Sequence, residues 1–164
     1  MEYQKVTHEF VPVYDEHSRI LILGSLPSVK SREQGFYYGH SQNRFWRVVA
    51  QLTGEAVPQS IPEKKALLLN HGIAVWDVIQ SCEIMGSSDS SIRNVKVNDF
   101  DELLSKVPDI RIFANGGKAY ELYQKYAFPQ TGRVAVKLPS TSPANAAWSL
   151  EKLCDEWSRL LEMP

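Results

Sequence analysis

The chain has 164 residues, with 18 Lys and Arg against 19 Asp and Glu, a formal net charge of −1 and 43% apolar residues. That length suits one domain over residues 1–164 and suffices to bury a core without disulfide or metal staples. The charge balance argues against a protein that coats nucleic acid non-specifically, although residues 30–47 gather Lys30, Arg32, Arg44 and Arg47 against Glu33 alone.

From the amino terminus, MEYQKVTHEF shows no basic segment followed by an apolar one, and a cytoplasmic protein is the expectation. Ile20-Leu21-Ile22-Leu23, ended by Gly24, reads as a short parallel strand buried on both faces. Asn43–Leu52 spaces Phe45, Trp46, Val48, Val49 and Leu52 as a helix does, and Pro62–His71 predicts a second helix closed by Gly72. Ile73–Trp76 is a second strand ending at Asp77. Cys82–Asn94, rich in Ser and Gly, reads as a long surface loop. Asn98 is placed to cap a helix running to about Val107. Ile110–Ala114 is a third strand, Gly116–Phe128 a helix, and Val134–Leu138 a fourth strand. Ser142 and Pro143 then suit the start of a last helix with Trp148, Leu150, Leu153, Cys154, Trp157, Leu160 and Leu161 at three- and four-residue steps.

Strands alternating with helices predict an α/β fold, a three-layer αβα sandwich around a mainly parallel, four-stranded sheet. No run is long enough to span a bilayer, so no membrane association is expected. Cys82 and Cys154 stand in no CxxC or Cys/His spacing, so neither a metal nor another cofactor is expected.

Ligands of parallel sheets sit beyond the carboxyl ends of the strands. Those ends carry Gly24–Pro27, Asp77, Asn115 and Pro139–Pro143. After Gly24, a loop with Phe36, Tyr37, Tyr38, Gly39 and His40 leads to Asn43-Arg44-Phe45-Trp46 at a helix start. Aromatics interleaved with Gly, Lys and Arg suit a flat base and its phosphates. Neither the Gly-Lys-Ser/Thr of a nucleotide-binding loop nor a Gly-x-Ser-x-Gly elbow is present. Leu138-Pro139-Ser140-Thr141-Ser142-Pro143 joins a strand end to a helix start and offers hydroxyls and backbone N–H groups to phosphate.

Gly24-Ser25-Leu26-Pro27 followed by Tyr38-Gly39-His40-Ser41-Gln42-Asn43-Arg44-Phe45-Trp46 resembles motif one of the mismatch-specific uracil-DNA glycosylases. There a Gly-x-Asn-Pro turn precedes, at the same spacing, an aromatic and His-Pro-x-Asn-Arg-Phe-Trp. Leu138-Pro139-Ser140 is similar to the superfamily's second motif, Asn/His-Pro-Ser, and Asn115-Gly116-Gly117-Lys118-Ala119 to its Asn-Gly-x-Lys-Ala turn. The resemblance covers residues 18–160. Leucine stands at two positions that are polar in relatives, Leu26 and Leu138. With Gly-Ser-x-Pro, Tyr-Tyr-Gly-His-x-x-Asn and Trp-Asp, the pattern resembles the hypoxanthine-DNA (deoxyinosine) glycosylase branch.

The resemblance implies a monofunctional glycosylase acting on DNA with deaminated bases, expected to be a monomer. Asn43 is its catalytic residue, orienting water or polarising the base. Ser25, Leu26, Pro27, Tyr38, Asp77 and Asn115 would line the base site, Tyr38 by stacking and Asp77 by accepting N1–H of hypoxanthine. Lys30, His40, Arg44, Arg47, Ser140, Thr141 and Ser142 would contact the DNA backbone. A uracil or mismatch enzyme, or a damaged-DNA binder with little catalysis, are the competing readings. If Asn43 only caps its helix, binding alone becomes the better reading.

Overall fold

The structure is a computed structural model that describes residues 2–7, 10–26, 35–85 and 91–162. Among the described residues, seven strands and six α-helices follow in the order β1 (Gln4–Thr7), β2 (Ile20–Gly24), α1 (Phe45–Thr53), α2 (Ile61–Asn70), β3 (Ile73–Asp77), β4 (Ile79–Ile84), β5 (Arg93–Val97), α3 (Asp101–Lys106), β6 (Arg111–Asn115), α4 (Gly117–Leu122), α5 (Phe128–Thr131), β7 (Ala135–Leu138) and α6 (Leu150–Trp157).

The central sheet is parallel, in the order β3-β2-β6-β7. β2 lies inside it, and Leu21, Ile22 and Leu23 are fully buried. Alternation along β2 sorts these residues onto two faces. Ile20 and Ile22 pack with Phe45, Val48, Leu68, Leu153 and Trp157 on one side. Leu21 and Leu23 pack with Leu103, Val107, Leu122 and Tyr123 on the other. Each such side chain contributes about 1.5–3 kcal/mol by burial, and helices on both faces complete the expected αβα sandwich. The register pairs Gly24 with Asp77 and Asn115 with Leu138. The segments after Gly24, Asp77, Asn115 and Leu138 therefore leave the sheet at one edge.

Four expectations about individual elements need correction. The segment from Cys82 to Asn94 is no simple loop. β4 and β5 pair antiparallel, and β1 joins them in a second sheet of order β1-β4-β5. Its pattern is hard to see because register shifts interrupt the alternation between Ile79 and Glu83. Asn98 does not cap a helix. It is buried, and its Nδ2 donates to the carbonyls of Asp77 at 2.8 Å and Ile79 at 3.3 Å. The helix after β6 is interrupted by a π-helical turn at Tyr123–Ala127, because Pro129 has no N–H for the regular ladder. The last helix starts late, at Leu150. Ser149 Oγ, not Ser142, accepts from its first turn, bonding the Lys152 N–H at 3.2 Å.

Candidate active site

The floor is set by the ends of β2 and β3. Asp77 is 3% exposed, and a Cβ on Gly24 would stand 2.4 Å from its Oδ1. Only glycine allows the carboxylate this close to the β2 backbone. The chain is pinned there by the Val78 N–H on the Gly24 carbonyl at 2.8 Å and the Ile79 N–H on that of Ser25 at 3.1 Å. Ser25 and Leu26 follow, both half-buried, and Leu26 packs against the apolar cluster containing Leu21 and Leu23. Pro27 and Lys30 lie outside the described residues.

Tyr38 forms a wall above this floor. Its ring stacks on Phe45 with centroids 4.0 Å apart and planes 15° apart. Its backbone has φ of 53°, a left-handed conformation rare for a bulky residue. The hydroxyl reaches to 3.2 Å from where a Gly24 Cβ would stand. Burial pushes the phenol well above its usual pKa, the Asp77 carboxylate adds to the rise, and Asn115 opposes it. Tyr38 is thus a neutral donor. Neighbouring Tyr37 faces the core; its hydroxyl donates to the Val11 carbonyl at 2.8 Å, and its own carbonyl accepts from Trp46 Nε1 at 3.3 Å. These contacts hold the aromatic loop in place.

Asn43 precedes α1. Its N–H donates to the His40 carbonyl at 2.9 Å, and its Oδ1 accepts from the Phe45 N–H at 2.9 Å. An N–H can bond only the oxygen of an amide, so this contact fixes which end of Asn43 is spent. Nδ2 keeps its donors, since no described residue accepts from it. Asn43 is therefore bonded to the helix start while its NH2 stays available. His40 is oriented similarly: Nδ1 accepts from the Gln42 N–H at 3.0 Å, which places the neutral ring's proton on Nε2.

Arg44 and Asn115 organise the opposite rim. The Arg44 N–H donates to the Thr141 carbonyl at 3.0 Å, and Nε reaches the same oxygen at 3.4 Å. Nη2 donates to the carbonyls of Ser142 at 2.9 Å and Asn145 at 3.1 Å, and Nη1 to that of Trp148. Asn115 bonds Thr141 with both ends of its amide, Nδ2 to Oγ1 at 3.0 Å and Oδ1 from N–H at 3.1 Å. Thr141 is fully buried. Ser140 Oγ accepts from the Ser142 N–H at 3.1 Å, and Ser142 Oγ from the Ala144 N–H at 3.2 Å.

The predicted residues thus sort by place. Gly24 and Asp77 form the floor, Tyr38 the wall and Asn115 the rim, and Asn43 adjoins the wall through Phe45. Arg44 and Thr141 hold the 139–148 loop, Arg44 spent on backbone carbonyls and Thr141 on the Asn115 amide. Arg47 is exposed, with only a 3.4 Å bond to the Gln42 carbonyl. Sequence reasoning missed Phe45 as the ring backing Tyr38, and Asn145, whose Nδ2 donates to the Ser140 carbonyl at 3.0 Å. Phe45 sits in an apolar helical stripe and reads as core; Asn145 carries no spacing signal. Among the described residues, no three His, Cys, Asp or Glu side chains gather to hold a metal ion. No described helix is long and apolar enough to cross a membrane.

Residues 11–162 match the Uracil DNA glycosylase superfamily. The chain belongs to this superfamily. It is 41% identical over 150 residues to a hypoxanthine DNA glycosylase of Methanosarcina acetivorans, covering 90% of this chain and 93% of that one. A hypoxanthine DNA glycosylase of Methanosarcina barkeri is 37% identical over 117 residues, covering 70% and 73%. A solution NMR structure described as a candidate uracil DNA glycosylase from Methanosarcina acetivorans superposes with a TM-score of 0.79 at 35% identity, covering 97% of this chain and all of that one.

Superfamily membership gives weight to the two leucines. Leu138 is fully buried and packs in the cluster of Phe113, Trp157 and Phe45, so the second motif contributes no polar side chain there. Leu26 is half-buried beside the floor and has no donor or acceptor. Asn115 is bound to Thr141. In motif one, Gln42 is exposed, and Asn43 is the half-buried amide left with uncommitted donors.

Proposed function

We propose that this superfamily member is a monofunctional hypoxanthine-DNA glycosylase, removing the base of deoxyinosine from DNA as a cytoplasmic monomer. The observation that carries the reading is Asn43, whose oxygen is bonded to α1 and whose NH2 remains a donor beside the Tyr38–Phe45 stack. The relatives named for hypoxanthine support the choice of base.

The target nucleotide must leave the stack before its glycosidic bond can be reached. In the reaction C1′–N9 breaks, its electron pair goes to the purine, water adds to C1′, and the proton released from that water neutralises the base. Positive charge builds on the sugar and negative charge on the purine. Asn43 Nδ2 donates to an acceptor atom of the departing purine, and its bond to α1 makes that donation pre-oriented. Asp77 accepts the lactam N1–H, which adenine lacks. Outside the crevice, His40 Nε2, Arg47, Ser140 and Ser142 meet phosphates, while Arg44 and Thr141 keep the rim in shape.

Oligonucleotides containing inosine, uracil, xanthine or ethenoadenine, treated with alkali after incubation, test this reading. Inosine strands should be cleaved fastest. Preferred cleavage at uracil would favour the competing enzyme reading, and tight binding without cleavage a damaged-DNA binder.

A further inference from the structure

Three tyrosine hydroxyls in the described structure are held away from solvent to a degree that raises their pKa. Tyr37 donates to the Val11 carbonyl at 2.8 Å, and Tyr123 lies 2.7 Å from both Thr131 Oγ1 and the Arg133 carbonyl. Tyr38 differs. Its hydroxyl oxygen is buried with no hydrogen-bond partner. Asn115, the amide that opposes the rise in its pKa, spends both ends on Thr141. Phenylalanine would keep the stack on Phe45 and avoid an unsatisfied buried group. Tyr38 also holds φ of 53°, so two unfavourable features coincide at one residue. Neither is explained by folding, and such coincidences mark sites that bind something.

The position of the hydroxyl says what it binds. Tyr38 Oη and Asp77 Oδ1 both crowd Gly24, at 3.2 and 2.4 Å from where a Cβ would stand. One is a donor, the other an acceptor, and both border the same glycine. A lactam edge, C=O beside N–H, is the complement of that pair. We infer that the Tyr38 hydroxyl and Asp77 together read the lactam edge of the flipped base, Tyr38 donating to the C6 carbonyl of hypoxanthine and Asp77 accepting N1–H. Adenine presents the reverse pattern, an N1 acceptor beside an amino donor, and meets a mismatched wall. The pair therefore separates deaminated purine from its parent. This inference rests on the crevice being the base site proposed above.

Tyr38→Phe tests it. Phe stacks as well as Tyr, so a residue that only stacks leaves single-turnover excision of inosine within about twofold, and that result overturns the inference. The expected result is a loss of about tenfold, the value of one neutral hydrogen bond, with melting temperature unchanged or raised because an unsatisfied group has gone. A loss of rate accompanied by a lowered melting temperature assigns the hydroxyl to structure and also overturns it. As a second measurement, the affinity for DNA containing nebularine, a purine without the C6 carbonyl, should be the same in wild type and Tyr38→Phe. An equal loss on both bases contradicts the assignment. Wild-type protein that leaves inosine intact refutes the functional reading itself, a different outcome from a Tyr38→Phe variant as active as an active wild type.

Discussion

Replacing Asn43 by Asp separates the two jobs that the structure gives this residue. Asp is nearly isosteric and keeps an oxygen for the Phe45 N–H, now bonded at 2.9 Å. Its charge at the start of α1 interacts favourably with the helix dipole by about 0.3–1 kcal/mol, so melting temperature should hold or rise slightly. Both N–H donors vanish, and a carboxylate takes their place where negative charge develops. Removing one such positioned donor costs about 10²–10³ in rate, or about 2.7–4 kcal/mol of transition-state stabilisation; single-turnover excision of inosine should fall at least that far. Asn43→Ala loses the same donors and the helix bond as well. It should show a similar rate loss with about 1 kcal/mol less stability, a fall of about 2–4 °C in Tm for a chain of this size. The assay is excision and thermal melting on both variants. If Asn43→Asp excises inosine within threefold of wild type while Asn43→Ala merely melts earlier, Asn43 is a cap and the mechanism is wrong.

Further expectations follow from the same geometry. Arg44→Ala should destabilise the fold by about 2–3 kcal/mol in urea melts, since it frees carbonyls of the 139–148 loop from a charged donor, without altering the salt dependence of DNA binding. Arg47→Ala should do the opposite, reducing the slope of log K against log salt by about one and leaving stability unchanged. Burial raises the pKa of Tyr37, Tyr38 and Tyr123 above the ordinary 10.0. Below that value both folded and unfolded chains keep these protons and stability is full; above it the unfolded chain releases them first, so stability should fall as pH rises. In an alkaline titration, phenolate absorbance from these three of the seven tyrosines should appear only with unfolding, and early appearance of all seven contradicts their burial. Leu26→Asn places an amide beside the floor and should add or raise uracil excision; no gain on uracil strands counts against that position facing the base.

The parts of the fold that were legible in sequence are those whose residues state their own environment. The run Ile20–Leu23 could only be a strand buried on both faces, and the stripe through Phe45, Val48 and Val49 could only bury one side of a helix. Gly24, Asp77, Asn115 and the 139–143 segment were legible as a group because parallel strands end on one edge. The second sheet was not, because β5 shows little apolar signal, with Arg93, Asn94 and Lys96 exposed, and exists through pairing with β4. Ser142-Pro143 carries a helix-start signature, yet Arg44 draws the carbonyls of Ser142, Asn145 and Trp148 to itself and holds the segment irregular until Ser149. The same contact explains why Arg44, read from its charge as a DNA contact, is engaged inside the protein. The orphaned Tyr38 hydroxyl had no sequence signal at all, since it depends on which partners the fold withholds.

The central claim is that the chain hydrolyses the glycosidic bond of deoxyinosine. Mass analysis of a single-turnover reaction on a deoxyinosine duplex, with EDTA present, tests it most directly. Free hypoxanthine and an uncut strand bearing an abasic site are expected in equal amounts. No hypoxanthine, a strand cut without alkali, or release that stops in EDTA would contradict it.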